Sequence, residues 1–245
     1  MGVLRLIELT AFIESAIEKF HQRRLESLEG IKLKRILSRK NPYLFRAKNI
    51  LTAEELVRGI LDAHLSSQEE ALFGTTLEQL AIYIAKQIYG GRKSASEGID
   101  LQFEREGMIY LITIKSGPNW GNSRQIAAMR DDFRKAKRIL GTNAEKGRII
   151  CVNGCAYGKA RKADYGDYLK LCGQEFWELL SGSETLYIDI IKPFGSKAKE
   201  KNEVFLVQYA AVVNKFVREF TTEYCDVDGK ILWDKIVKLS SEKKQ

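Results

Sequence analysis

Proline, cysteine and histidine are all scarce in this chain. Three prolines and 19 glycines in 245 residues exclude a collagenous, proline-rich or low-complexity chain. Four scattered cysteines are too few for a disulfide-stapled mini-protein and fit a reduced, cytoplasmic setting. The two histidines, His21 and His64, stand in no recognisable catalytic context, which disfavours Ser-His-Asp chemistry. No apolar run approaches the roughly 18 residues of a membrane span. The first ten residues carry Arg5 and Glu8 with no small-residue cleavage pattern, so no signal peptide is expected. Neither a Walker-type phosphate loop nor GxGxxG is present.

What the chain does have is positive charge. Its 40 Lys and Arg against 32 Asp and Glu leave a net charge of +8. The excess is uneven: residues 1–50 hold 11 basic and 5 acidic groups, residues 51–100 hold 4 and 8, and residues 101–150 hold 10 and 5. A basic chain with one acidic segment suits a polyanion binder that also gathers a cation, and equally suits a basic protein with solvated faces.

Apolar spacing predicts a helix over Leu4–Leu28, with Leu6, Phe12, Ile13, Ile17 and Phe20 as its stripe. A basic stretch, Lys32–Lys48, follows, and Asn41-Pro42 is expected to stop or turn the chain. Thr52 and Glu55 form a capping-box pattern that opens a second helix to about Ser66. A third is expected over Ser67–Tyr89, ended by Gly90-Gly91. The period then changes. Gly98–Glu104 alternates as a strand, Arg105-Glu106-Gly107 turns, and Met108–Lys115 is a second strand. Further expectations are a helix at Ser123–Leu140, a strand at Gly147–Asn153, a loop over 154–172, a helix at Gln174–Leu180, a strand at Leu186–Ile191, and late helices at Lys197–Tyr224 and Lys230–Leu239. This order describes an α/β fold, a mixed β-sheet flanked by helices, in a single domain over 1–245. Residues 1–66 form its helical N-terminal part, 67–195 its core and 196–245 its C-terminal helices.

With Glu106-Gly107 as the two turn residues, Asp100 sits opposite Thr113 and Gly98 opposite Lys115. Alternation then puts Asp100, Thr113 and Lys115 on one sheet face. A carboxylate and an ammonium on otherwise apolar strands stay together only when they pair or bind something. A cross-strand salt bridge at the sheet end is the plainer alternative. Cys151 and Cys155 have ligand-like spacing, but Cys151 lies in an apolar strand, and buried small hydrophobes are the better reading of Cys151, Cys155 and Cys172.

Gly98-Ile99-Asp100, a strand, a turn, then Thr113-Ile114-Lys115 resembles the PD-(D/E)XK nuclease superfamily. More narrowly, Ser96–Asp100, Ile114–Asn122, Gly173–Trp177 and Asn41–Phe45 are together similar to type II restriction endonucleases of about this length. The block from Lys115 to Asn122 is the most specific part. The resemblance implies a restriction-endonuclease-like fold in which Asp100 holds Mg²⁺, with Mn²⁺ as a substitute. Lys115 orients or deprotonates the attacking water, and the Ile114 carbonyl is a further metal ligand. Oxygen ligands suit Mg²⁺, and phosphodiester cleavage uses a metal to polarise the phosphate and supply hydroxide.

Thr113 departs from the pattern, which has Glu or Asp there. The replacement acid is sought at Glu78, Glu97, Asp131 or Asp132. Glu78 lies at the edge of the buried face of the preceding helix, and the resemblance favours it, because in the superfamily an acid on this helix often joins the site. DNA contacts are expected from Trp120, Asn122 and Arg124, from the stripe Arg130, Arg134, Lys137 and Arg138, and from Lys159, Arg161 and Lys162 in the loop Tyr157–Tyr165. The resulting expectation is a Mg²⁺-dependent, site-specific endonuclease of double-stranded DNA, acting as a homodimer beside a companion DNA methyltransferase. A structure-specific repair nuclease and a non-catalytic DNA-binding protein are the alternatives.

Overall fold

The computed structural model describes residues 5–140 and 149–243. The elements run α1 (Leu6–Glu29), α2 (Leu33–Leu37), α3 (Pro42–Ala47), α4 (Ala53–Tyr89), β1 (Leu101–Arg105), β2 (Met108–Lys115), α5 (Ser123–Leu140), β3 (Ile149–Cys155), β4 (Leu169–Cys172), α6 (Gln174–Ser181), α7 (Leu186–Asp189), α8 (Ile191–Phe194), α9 (Ala198–Tyr224) and α10 (Trp233–Ser241). The expected starts at Leu4 and Gly147 lie outside the described residues. Among the described residues, no helix is long and apolar enough to cross a membrane.

The chain divides into two compact units, neither of them continuous in sequence. The first combines the segment ending at Ile17 with Gly74–Ser196, and the second combines Glu18–Phe73 with the segment from Lys197. The reason is that α1 and α4 each contribute to both units. The N- and C-terminal helical parts, separate in sequence, share one core.

The first unit holds a four-stranded mixed sheet in the order β1-β2-β3-β4. Strands β1 and β2 are antiparallel, and β3 and β4 extend β2 in parallel. The hairpin has the expected register, with Arg105 opposite Met108 and Leu101 opposite Ile112. Glu106 and Gly107 both take positive φ, +54° and +74°, as the two central residues of a type I′ turn must. One sheet face meets α4, where Phe103 stacks on Tyr89 at 4.9 Å and on Tyr110 at 5.1 Å. Leu111 and Cys151 pack instead in a cluster with Met129, Phe133 and Ala136 of α5. Phe176, Trp177 and Leu180 of α6 are buried, and the Trp177 indole donates to the Ala156 carbonyl at 2.8 Å.

The second unit is helical. Leu33, Ile36 and Leu37 of α2, Leu56, Val57, Ile60 and Leu61 of α4, and Phe205, Val213, Phe216 and Phe220 of α9 form one buried cluster.

Four expectations need correction. The two helices expected over 52–89 are one, α4, because the serines at 66–67 do not interrupt it: Ser67 Oγ bonds back to the Ala63 carbonyl at 3.0 Å. Asn41-Pro42 opens a helix, α3, where the sequence suggests a stop or turn. Asn41 Oδ1 accepts from the Tyr43 and Leu44 amides, and Pro42 stands where no amide donor is needed. The strand expected at Leu186–Ile191 is helical, with Leu186 and Ile190 buried one turn apart and the Ile190 amide bonded to the Leu186 carbonyl. Strand β4 lies inside the expected loop. It is only four residues long and draws its register from β3.

Candidate active site

The β1–β2 ladder ends at Leu101 and Ile112, so the strand does not run back to Gly98, which has positive φ. Gly98 therefore does not pair with Lys115 as the extended register predicts. Asp100 lies one residue before β1. Its amide still donates to the Ile112 carbonyl at 2.9 Å. Its Oδ2 accepts from the Ile114 amide at 2.6 Å, so the carboxylate takes the place of the next ladder rung. Within a strand a residue's N–H and C=O leave on the same side. The Ile114 carbonyl is thus directed to the side where Asp100 sits. The Lys115 carbonyl goes the other way, to the Ala156 amide at 2.9 Å.

Glu78 comes to this place from α4. Burial raises its carboxyl above the ordinary range and the Asp100 carboxylate raises it further, while Lys93 and Lys115 pull it down. Asp100, Glu78 and Lys115 are therefore electrostatic neighbours. Lys93 joins them from the segment before β1, a residue that sequence reasoning missed. The segment after β2 approaches α4 closely: a Cβ at Gly74 would lie 2.7 Å from Ser116 Oγ, which is why a glycine sits inside this helix. Among the described residues no three His, Cys, Asp or Glu side chains form a group that could hold a metal ion.

Thr113 is turned to a different task. It is 2% exposed, pairs in register with Asn153, and accepts from Asn153 Nδ2 at 3.2 Å. Asn153, 1% exposed, accepts in turn from the Trp120 indole at 3.0 Å. Lys115 Nζ lies 5.0 Å from the centre of the Trp120 ring, within cation–π reach. A buried polar chain thus runs from Thr113 through Asn153 to the ring beneath the lysine. Asn153 was absent from the sequence-based candidates. The available signal was one amide in the otherwise apolar run Ile149–Val152, placed opposite Thr113 by parallel pairing.

The other candidates scatter. Asp131 pairs with Arg134, and Asp132 with Lys135 at 3.7 Å. Glu97 is exposed. Trp120 spends its N–H on Asn153 and packs against the α5 cluster. Asn122 caps α5: its Oδ1 accepts from the Gln125 amide at 3.1 Å and its amide donates to Gln125 Oε1 at 2.9 Å. Arg124, Lys159, Arg161 and Lys162 are exposed, and Lys162 Nζ lies 5.5 Å from the Tyr165 ring centre. The basic stripe of α5 is largely engaged: Arg130 pairs with Asp167 at 2.9 Å and Arg134 with Asp131. Cys151, Cys155 and Cys172 are buried free thiols, and burial pushes Cys151 up to about 11 and Cys155 up to about 12.

The first unit is thus an α/β fold in which Asp100 before β1, Lys115 at the end of β2 and Glu78 of α4 are electrostatic neighbours. A family model described as Type II restriction endonuclease EcoO109I matches residues 7–202, and the chain belongs to that family of type II DNA endonucleases. No curated protein matches it.

Proposed function

We propose that this protein is a metal-dependent, sequence-specific endonuclease that hydrolyses double-stranded DNA on a PD-(D/E)XK core. The observation that carries the reading is the Asp100 carboxylate fixed on the Ile114 amide beside Glu78 and Lys115.

The donor set fits a hard divalent cation. Mg²⁺ takes oxygen ligands, commonly one or two carboxylates plus phosphate and water. Asp100 Oδ1, Glu78 and the Ile114 carbonyl are the groups that would hold it, with Mn²⁺ as a substitute. The raised Glu78 carboxyl reports burial and repulsion by Asp100, and a cation between them relieves that repulsion. When bound, the ion supplies Lewis-acid polarisation of the phosphodiester and hydroxide near neutral pH. The protein's own part is geometric. Asp100 is locked by a backbone hydrogen bond. Lys115 offsets charge on the phosphate and orients the attacking water. Trp120, held by Asn153 and Thr113, supports the ammonium from below. Thr113 thus holds the scaffold, and Glu78 supplies the acid missing from its position.

The exposed loop bearing Lys159, Arg161 and Lys162 begins at the wall of a cleft of about 660 Å³, lined also by Gln174, Glu175 and Tyr187. This cleft is suited to contact DNA, with Arg124 on the neighbouring helix. A two-fold site with two strands to cut calls for a homodimer. A companion methyltransferase spares the host DNA, and the cytoplasm is where both meet it.

The test is a digest of DNA of known sequence with the fragment ends read out. Wild type with Mg²⁺ gives discrete fragments, EDTA or Asp100→Ala gives none, and Lys115→Ala slows cutting by about 10²- to 10⁴-fold. Equal cutting by Asp100→Ala overturns the assignment. One observation favours a second reading. With Thr113 committed to Asn153, the motif position has no acid, as in a DNA-binding protein with a dead site. Salt-dependent binding without cutting on any DNA selects that reading.

A further inference from the structure

The basic stretch after α1 takes no part in the site above. Lys32, Lys34, Arg35, Arg39 and Lys40 follow one another with no acid between them. Leu33, Ile36 and Leu37 are buried and anchor α2, which leaves Lys32, Arg35 and Arg39 exposed. These three line a cleft of about 230 Å³ with Glu26, Ser27 and Gly30 of the α1 end, and with His64 and Gln68 of α4. All of these residues belong to the second unit.

The cations there are not neutralised. In the same unit Arg24 pairs with Glu69, Arg58 with Glu54 at 2.8 Å, and Lys197 with Glu18 at 3.6 Å. Lys32, Arg35, Arg39 and Lys40 make no ion pair among the described residues. Glu26, the one carboxylate on the wall, accepts from Gln22 Nε2 at 3.0 Å. Their fields converge on one imidazole: burial lowers the His64 pKa, and Lys40, Arg39 and Arg35 lower it further. Like charges held around a concavity repel one another and focus a positive potential on whatever enters. An anion relieves that repulsion. Arginine forks match phosphate oxygens in pairs, and the chain's +8 charge suits a long polyanion more than a single small one.

We propose that the cleft lined by Lys32, Arg35 and Arg39, with Lys40 next to Arg39 in the chain, is a second DNA contact surface, in the helical unit, that grips backbone phosphates without reading bases. The proposal rests on the nuclease reading for its partner. It assigns DNA affinity to a unit that holds none of the catalytic side chains.

The experiment measures full-length protein on a fluorescent 30-base-pair duplex, by anisotropy in EDTA, across a range of NaCl concentrations. Each neutralised phosphate contributes a slope of about 0.9 in log affinity against log salt. The triple variant Arg35→Ala, Arg39→Ala, Lys40→Ala is expected to flatten the slope by about two to three and weaken low-salt binding at least about tenfold. The charge-matched triple Lys19→Ala, Lys199→Ala, Lys215→Ala removes three exposed cations elsewhere in the same unit and is expected to leave the slope alone. The conservative pair Arg35→Lys, Arg39→Lys keeps the slope, and Arg39→Gln serves if the triple melts early. An unchanged slope in the cleft variants, or an equal loss in the matched control, overturns the proposal. Calorimetry with inorganic phosphate separates the small-anion case: phosphate binding lost in the variant while duplex binding stays intact also overturns it. If wild type cuts DNA and the cleft variants bind as wild type does, this inference alone fails. If wild type neither binds nor cuts any duplex, the nuclease reading fails first.

Discussion

The two units solve the burial problem in opposite ways. The first is built on a sheet whose interior admits polar groups: Thr113 and Asn153 are buried and bonded to each other, and three thiols lie among the strands. The second is built from helices whose core is almost wholly aliphatic and aromatic, with its charge carried on the rim. A strand end leaves backbone groups free for a carboxylate to occupy, as Asp100 occupies the Ile114 amide. A helix satisfies its own backbone and offers only side chains. The sheet unit therefore carries its buried polar groups at strand positions, and the helical unit carries its charge on the rim.

The strongest way to break this division is through the helical core. Phe216 is 1% exposed and sits within the second unit's cluster. Phe216→Ala is expected to cost about 3–5 kcal/mol. Hydrogen exchange should show protection lost across 205–224 while 108–115 and 149–155 keep theirs. Equal loss in both would mean that the units unfold as one.

A smaller effect sharpens the other half. Asn153→Leu removes both hydrogen bonds of the buried chain while keeping an apolar side chain of similar size. Supporting residues of this kind are worth about 10- to 100-fold in activity. The fall should appear in the single-turnover rate with duplex affinity in EDTA unchanged, and Trp120 emission should shift. A variant that cuts at the wild-type rate would show that the Thr113–Asn153–Trp120 chain does not serve Lys115.

The smallest effect is on acid stability. Burial depresses the pKa of His21, Arg24 and Lys201 depress it further, and Glu69 opposes them. Its Nδ1 is buried without a hydrogen-bond partner among the described residues. A histidine whose native pKa lies below the unfolded 6.5 contributes stability that is full above that pH. The contribution is lost as pH falls toward the native value, because the unfolded chain takes up the proton first. His64 is depressed as well, so both histidines act in the helical unit. Melting of that unit should become easier below about pH 6.5, and His21→Phe should reduce the dependence. An identical pH profile in the variant would remove His21 from the account.

Much of the fold around the candidate site was legible along the chain. The change from helical to alternating period located the hairpin, and the two-residue turn set its register through to Leu101 and Ile112. Spacing put Glu78 at the edge of the buried face of its helix, and the structure leaves it half-buried there. What failed failed for local reasons. Leu186–Ile191 is a short apolar run whose period does not separate strand from helix. β4 is too short to announce itself. Asp100 was expected inside the ladder and instead ends it, because Gly98 turns the backbone away. Trp120 and Asn122 read as DNA contacts by their place after β2. The structure adds hydrogen bonds from Trp120 to Asn153 and between Asn122 and Gln125, which depend on a neighbour far along the chain or on local hydrogen-bond geometry.

Order along the chain was enough for the hairpin, its turn and the Thr52–Glu55 cap, because each rests on interactions between residues a few positions apart. Only the tertiary structure decided that Asn153 would stand beside Thr113, that Gly74 would admit Ser116, and that the buried residues of Leu28–Leu65 and Phe205–Ile236 would share one helical core. Those outcomes depend on parallel pairing and on packing across long separations, where burial rather than local preference selects the partner.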